Sequence, residues 1–438
     1  MCIKLQISYF YLSLRCKVLF MKRCFFFFFL LVTVAVSAFA KEFPYRITAD
    51  FYSGYILPIS KNLELTAKKP IFGGEVAVEF LPRDKYDWEQ RWGLPTIGAG
   101  FVGLDLGNPS ILGQAFAVYP YVLVPIVRTN VFKLNYKVGA GVSFFTKTWN
   151  DCDTLNGINS ATANSTIGSI ANVYLSTGTN MRFELGSGVS MGLEFGYNHM
   201  SNGSILQPNG GLNILYGKVG FGFQPKASKY TLPAKVQPKD LPFDMFLDIV
   251  ASGGVRELYY RDNKRYGIAS LHVATAGRLG NFYALGVGLD LFYDGVFVQQ
   301  GQRGSEIYNQ HTHYKRYFIS NENAANKWRC GFFIANYFIL GRVTAELDWG
   351  FYLYDGIRNA NPNPHPKYGY ERPMFYTYKI NDEDGWNYFR LAFKVRVWEG
   401  LTANVALKTH LQKAEFIEFG LGYQIPFLFP KNKKVANK

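Results

Sequence analysis

Downstream of residue 40 the chain repeatedly alternates apolar with small or polar residues at a period of two. In Val189–Asn198, one face carries Val189, Met191, Leu193, Phe195 and Tyr197, and the other Ser190, Gly192, Glu194, Gly196 and Asn198. Phe132–Phe144 sets Leu134, Tyr136, Val138 and Val142 against Lys133, Asn135, Lys137 and Ser143, and Arg342–Leu353, Phe389–Val397 and Ile417–Phe427 repeat the scheme. Successive side chains of a strand point to opposite faces, so this pattern dictates β-structure with one apolar face. A helical membrane protein needs runs of ~18 or more apolar residues. None follows residue 40, and the nearest, Ile111–Val127, is broken by Gln114, Pro120 and Pro125. Dispersal of the apolar residues explains how a chain 48% hydrophobic and 17% aromatic keeps a mean hydropathy of −0.05. The same apolar content excludes a disordered chain.

A soluble sandwich also alternates, but three features favour a membrane barrel. Full charges sit mid-strand on the polar face, as a wet lumen allows. The segments run to ~10–13 residues, the span of a tilted membrane strand, and aromatics gather near their ends as girdles do. The expected class is therefore all-β, an outer-membrane antiparallel β-barrel.

About sixteen strands are predicted. Eight lie near 45–53, 72–82, 96–106, 112–125, 131–147, 168–183, 189–198 and 211–224. Eight more lie near 243–255, 265–277, 282–296, 329–339, 343–355, 385–397, 402–410 and 413–427. With the first strand running outward, the long loops 54–71, 148–167, 199–210, 297–328 and 356–384 fall outside. The short turns 126–130, 184–188, 278–281, 340–342 and 398–401 fall in the periplasm, an asymmetry typical of such barrels. The connection 83–95 is an exception, long yet periplasmic. Between the halves, 225–242 holds Pro225, Pro233, Pro238, Pro242 and four lysines, and reads as an extended periplasmic linker. One barrel of about sixteen strands is the expected architecture, with two eight-stranded barrels in tandem as the alternative.

Met21-Lys22-Arg23, the apolar Phe25–Val36 and Ser37-Ala38-Phe39-Ala40 form a secretory signal, with cleavage expected after Ala40 and 1–20 an upstream extension. Cleavage removes Lys4, Arg15, Lys17, Lys22 and Arg23 and no acid, taking the formal charge from +15 to +10. A basic exported protein suits anionic head groups or polysaccharide, not nucleic acid. Cys152 and Cys330 are the two cysteines left, too few for a disulfide scaffold.

The chemistry concentrates after the seventh strand. His199 and Ser201 continue the odd-numbered face of Val189–Tyr197, which points at lipid, and Asn213 shares the lipid face of the next strand with Leu215, Val219 and Phe221. Polar groups there are costly unless they act on something in the membrane. Side chains at i and i+2 are neighbours on one face, so His199 can take the proton that a Ser201 nucleophile must lose. An amide oxygen at Asn213 can hold the imidazole tautomer, and Asn202 can donate to a developing oxyanion.

The string Tyr197-Asn198-His199-Met200-Ser201-Asn202, followed by Pro208-Asn209-Gly210-Gly211, resembles the lipid A 3-O-deacylase (PagL) or acyloxyacyl hydrolase family over roughly 45–224. The resemblance implies an eight-stranded outer-membrane barrel that removes an ester-linked acyl chain from lipid A, with lipopolysaccharide of the outer leaflet as partner and no metal or other cofactor. It implies His199 as general base, Ser201 as nucleophile, and Asn202 with the Ser204 backbone N–H as oxyanion donors. The family's acidic third member falls at Asn213, an amide here. Glu194 is no substitute, because its parity points into the lumen; Asp151 and Asp153 lie on a neighbouring loop. No role is implied for 243–438.

The alternative function is a porin or transporter whose lumen is lined by Lys133, Lys137, Arg390, Lys394 and Arg396. Other signals are weaker. His311 and His313 read as a solvated loop, and His410 as a girdle residue. Arg256, Arg261, Lys264 and Arg265 form a basic cluster suited to lipid A phosphates.

Overall fold

The structure, a computed structural model, describes residues 44–58, 61–153, 164–225, 230–236, 244–257, 264–280, 282–298, 324–355, 387–410 and 413–427. The signal segment, Arg261, His311, His313 and the side chains of Cys152 and Asp153 lie outside the described residues.

All sixteen strands are present. The first eight are β1 (Tyr45–Ile56), β2 (Ile71–Phe80), β3 (Thr96–Asp105), β4 (Gln114–Arg128), β5 (Phe132–Phe145), β6 (Ala171–Gly186), β7 (Val189–Ser201) and β8 (Leu212–Phe223). The second eight are β9 (Met245–Glu257), β10 (Arg265–Arg278), β11 (Tyr283–Asp294), β12 (Trp328–Leu340), β13 (Val343–Asp355), β14 (Asn387–Arg396), β15 (Leu401–His410) and β16 (Lys413–Phe427).

They close as two barrels of eight, the tandem alternative, instead of the single sixteen-stranded barrel expected first. β8 returns to β1, pairing Phe223 with Ile47 and Ile214 with Ile56. β16 returns to β9, pairing Phe427 with Met245 and Phe419 with Gly253. Each half thereby satisfies its own edge donors and acceptors, and the linker leaves β8 with no strand left to pair.

Closure at eight strands also corrects the wet lumen. At this size side chains fill the interior. In the first barrel Lys137 on β5 reaches Glu75 on β2 (3.3 Å) and Glu194 on β7 (3.1 Å), while Lys218 on β8 reaches the same two carboxylates at 2.9 and 3.0 Å. Arg182 pairs with Glu79 at 2.7 Å, and Lys133 with Glu184 at 2.6 Å. Toward the long-loop end the charges give way to an apolar plug that includes Leu63, Leu104, Leu112, Ile167 and Met200. In the second barrel Arg390 on β14 pairs with Glu418 on β16 at 2.8 Å, and Lys394 bridges Asp248 on β9 and Glu346 on β13. The charges expected to line a channel are thus mostly paired across the barrels. Arg396 differs: its guanidinium lies 3.4 Å from the Gly341 carbonyl at the short-turn end.

The odd-numbered faces point outward as the alternation predicts. Phe51, Phe195, Leu215 and Phe221 are exposed on the first barrel, and Leu289, Phe419 and Leu421 on the second.

The long connection 83–95 has a structural reason. It forms a short helix, Asp87–Arg91, whose entry is fixed by Glu89 accepting from the Lys85 and Tyr86 N–H groups. Gln90 then clasps the linker, donating to the Ala234 carbonyl (3.0 Å) and accepting from Val236 N (3.1 Å). Tyr230 donates to the Pro82 carbonyl at 2.9 Å. Burial pushes its phenol up to about 12, against the pull of Arg128. Trp92 reaches the second barrel, donating to the Ile339 carbonyl at 2.8 Å and packing on Phe282 with ring centroids 4.6 Å apart. Gly341, with φ +62°, lets Trp88 lie over its turn; a Cβ there would stand 3.0 Å from the indole. The short-turn ends of the two barrels are therefore joined.

Candidate active site

β7 and β8 pair so that His199 stands directly opposite Asn213. Ser201 lies two residues beyond His199 on the same outward face. The three side chains form one chain of hydrogen bonds: Ser201 Oγ to His199 Nε2 is 2.9 Å, and His199 Nδ1 to Asn213 Oδ1 is 2.7 Å. An amide oxygen only accepts, so Nδ1 carries the proton and Nε2 is left to accept from the serine. The Tyr197 hydroxyl donates to the same Asn213 Oδ1 at 2.6 Å, which fixes which end of the amide faces the ring. Phe195 and Leu215 continue this face and are exposed, whereas Ser201 is only 4% exposed.

Asn202 follows on. Its Nδ2 donates one proton to Ser169 Oγ (2.9 Å), which orients the amide and leaves its second N–H for a ligand. Its backbone N–H donates to Asn209 Oδ1 at 3.0 Å, so two separated parts of the motif meet. Gly203 and Ser204 both take left-handed conformations, φ +61° and +67°. The five expected residues thus lie in one short stretch of rim: three as a hydrogen-bonded relay, Asn202 next to it, and Ser204 at the loop's turn.

No carboxylate among the described residues replaces the expected acid. Glu194 points into the lumen, bound to Lys137 and Lys218. Asp151 is turned back on its own loop, accepting from Thr148 N and Oγ1 at 2.9 Å.

The observed relay coincides with the motif recognised in sequence. Residues 76–221 match the family model described as lipid A 3-O-deacylase (PagL). Residues 245–374 and 372–427 match that of the acyloxyacyl hydrolase C-terminal domain. The chain belongs to the lipid A 3-O-deacylase family. Its hydrolase class and its lipid A substrate follow from that membership, and the second barrel, without a role in the sequence reading, is the part that matches the acyloxyacyl hydrolase C-terminal domain.

Among solved structures, the outer membrane enzyme PagL is similar over 97% of its chain and 40% of this one, at 15% identity and TM-score 0.27. Neisserial surface protein A is similar over 95% of its chain and 41% of this one, at 10% identity and TM-score 0.27. A mutant Rh. blastica porin is similar over 99% of its chain and 87% of this one, at 10% identity and TM-score 0.15. No curated protein sequence matches the chain.

The candidate site also touches residues that sequence reasoning missed. Ser169 comes from the loop before β6. Tyr197 was noted only as the aromatic of the motif. Glu257 and the Ala414 carbonyl come from the second barrel, where nothing local marks them. Other expectations change. Arg256 is buried and paired with Asp294 (3.2 Å), which withdraws it from the basic cluster, while Arg265 sits 3.7 Å from Glu257 and Lys264 lies over the Tyr266 ring. His410 is not a girdle residue. It is buried, with Nε2 2.9 Å from the Tyr352 hydroxyl. Cys330 is a free thiol. Asp248, His272 and Glu346 bring ligand atoms within 4.8 Å of one another, but the Lys394 ammonium already bridges both carboxylates.

Proposed function

We propose that the chain hydrolyses an ester-linked acyl chain of lipid A by a Ser/His mechanism at the lipid-facing outer rim of its first barrel. The observation that carries this reading is the relay Ser201–His199–Asn213 on the outward face of β7 and β8. An ester in the outer leaflet lies beside that face without leaving the membrane.

Ser201 Oγ attacks the ester carbonyl carbon as His199 Nε2 takes its proton. The Asn202 amide and the Ser204 N–H donate to the oxyanion of the tetrahedral intermediate. Collapse breaks the ester bond, and the imidazolium returns the proton to the leaving alkoxide. Water, deprotonated by His199, then attacks the acyl-serine and releases the fatty acid and the free hydroxyl of Ser201. Asn213 holds the tautomer at every stage but leaves the imidazolium without a counter-charge.

Mass spectrometry of lipid A from cells with and without the protein tests the reading. The expected result is loss of one acyl chain with the wild type and none with Ser201→Ala or His199→Ala. An identical acylation pattern in all strains would falsify it.

A further inference from the structure

Ser204 is not a glycine, yet it holds φ +67°. That conformation is disfavoured for an L-residue, so the fold must hold it in place. The contacts that hold it come from the other barrel. The Ser204 carbonyl accepts from the Glu257 N–H at 2.9 Å. Its hydroxyl donates to the Ala414 carbonyl at 3.0 Å. Three residues on, the Gln207 N–H donates to Glu257 Oε2 at 3.0 Å. Glu257 ends β9 and Ala414 is the second residue of β16, adjacent strands at the long-loop rim of the second barrel.

Packing agrees with the hydrogen bonds. Ile417 lies on the outward face of β16, like Phe419 and Leu421. Those two are 56% and 62% exposed, whereas Ile417 is 4% exposed. What covers it is Gly203, where a Cβ would come within 2.8 Å of the Ile417 side chain. The Gly203–Ser204 peptide, which carries the Ser204 N–H, is thus seated on the second barrel from both sides. Asn202, by contrast, is held by Ser169 and Asn209 of its own barrel.

We infer that the second barrel is part of the oxyanion site: Glu257 is a positioning residue that, with the Ala414 carbonyl and Ile417, holds the Ser204 N–H where the first barrel's nucleophile needs it. This rests on the deacylase reading above. The two oxyanion donors are then supplied separately, Asn202 by the catalytic barrel and Ser204 by its neighbour. A donor held only loosely stabilises the oxyanion less without changing how the ground-state acyl chain binds, so its loss appears in kcat.

The experiment uses the full-length protein in detergent micelles with purified lipid A, in five forms: wild type, Ser201→Ala, Glu257→Ala, Glu257→Gln and Ser204→Ala. Folding of each is checked by its heat-shifted gel migration. Glu257→Ala is expected to lower kcat about tenfold, less than outright removal of an oxyanion donor, with KM within twofold. Glu257→Gln keeps an acceptor oxygen for Gln207 and restores most of kcat. Ser204→Ala keeps the N–H but loses the tie to Ala414, and falls between Glu257→Ala and wild type. If Ser201→Ala is inactive while Glu257→Ala matches wild type, or loses kcat without recovery in Glu257→Gln, the positioning role is overturned and the hydrolase stands. If Ser201→Ala retains the wild-type rate, the hydrolase reading fails and this inference with it.

Discussion

Asn213 Oδ1 receives two hydrogen bonds, one from His199 Nδ1 and one from the Tyr197 hydroxyl. The second matters because an amide, unlike a carboxylate, has only one accepting end. Turned over, it would present Nδ2 to the ring and force the proton onto Nε2, where the imidazole cannot accept from Ser201. Tyr197 therefore does at an amide what a symmetric carboxylate needs no help with. Tyr197→Phe should lower kcat about fivefold, the worth of roughly 1 kcal/mol of hydrogen bond. Asn213→Asp adds charge to the bond with the imidazolium and should raise kcat about tenfold. In the Asn213→Asp background, Tyr197→Phe should have little effect on kcat. Steady-state rates on lipid A for the two single variants and the double variant check this. A Tyr197→Phe loss of equal size in both backgrounds would mean that the tyrosine does not orient the amide. Parity put His199, Ser201 and Asn213 on one face, and the Tyr197–Asn202 and Pro208–Gly211 string singled them out there. Ser169 was not legible in this way: it lies 33 residues from Asn202, and no local spacing ties a serine to a distant amide.

At the scale of the strand, alternation is informative about faces and silent about closure. Each strand has two neighbours whether eight or sixteen strands close, and the lipid and lumen faces look the same. Only the partner of β8 differs, β1 in one case and β9 in the other, and that pairing is set far along the chain. The Pro-rich linker was the one local hint. Lumen charge was legible as well, but its state was not. Lys137 reads as a pore-lining residue until Glu75 and Glu194, from strands elsewhere in the barrel, are seen between it and Lys218. These four groups form two cations and two anions with little access to water. Glu194→Ala would leave two ammonium groups sharing one carboxylate. It should destabilise the first barrel by about 3–5 kcal/mol, read as a lower denaturant midpoint of the refolded protein. An unchanged midpoint would mean that water reaches the pair and the lumen is wet after all.

The described residues form two barrels joined at both ends: Trp88 and Trp92 against the turns of the second barrel at one, and the Gly203–Gln207 loop against its rim at the other. The short-turn ends meet each other, and the 203–207 loop meets the opposite rim of the second barrel, so both barrels cross in the same sense. This bears directly on the porin alternative. A conducting path would have to run through one of the two lumens. In the first, the gap beside Asp50, Glu79 and Arg182 is about 10 Å³, room for about one water. In the second, a vestibule of about 180 Å³ opens among Asp244, Arg278, Arg342 and Arg396, and Lys394 lines its inner wall. That lysine ties β14 to β9 and β13, and Arg390 ties β14 to β16 just beyond it. Breaking one such tie strands a buried charge at about 3–5 kcal/mol, which lowers the population of an opened state roughly 150- to 5,000-fold. The full-length protein in planar bilayers is therefore expected to give no steady unit conductance, with Ser201→Ala identical to wild type. Regular open steps from the wild type would show that the cross-barrel ties give way in a bilayer, and would return the lumen charges to the transport role that their sequence positions first indicated.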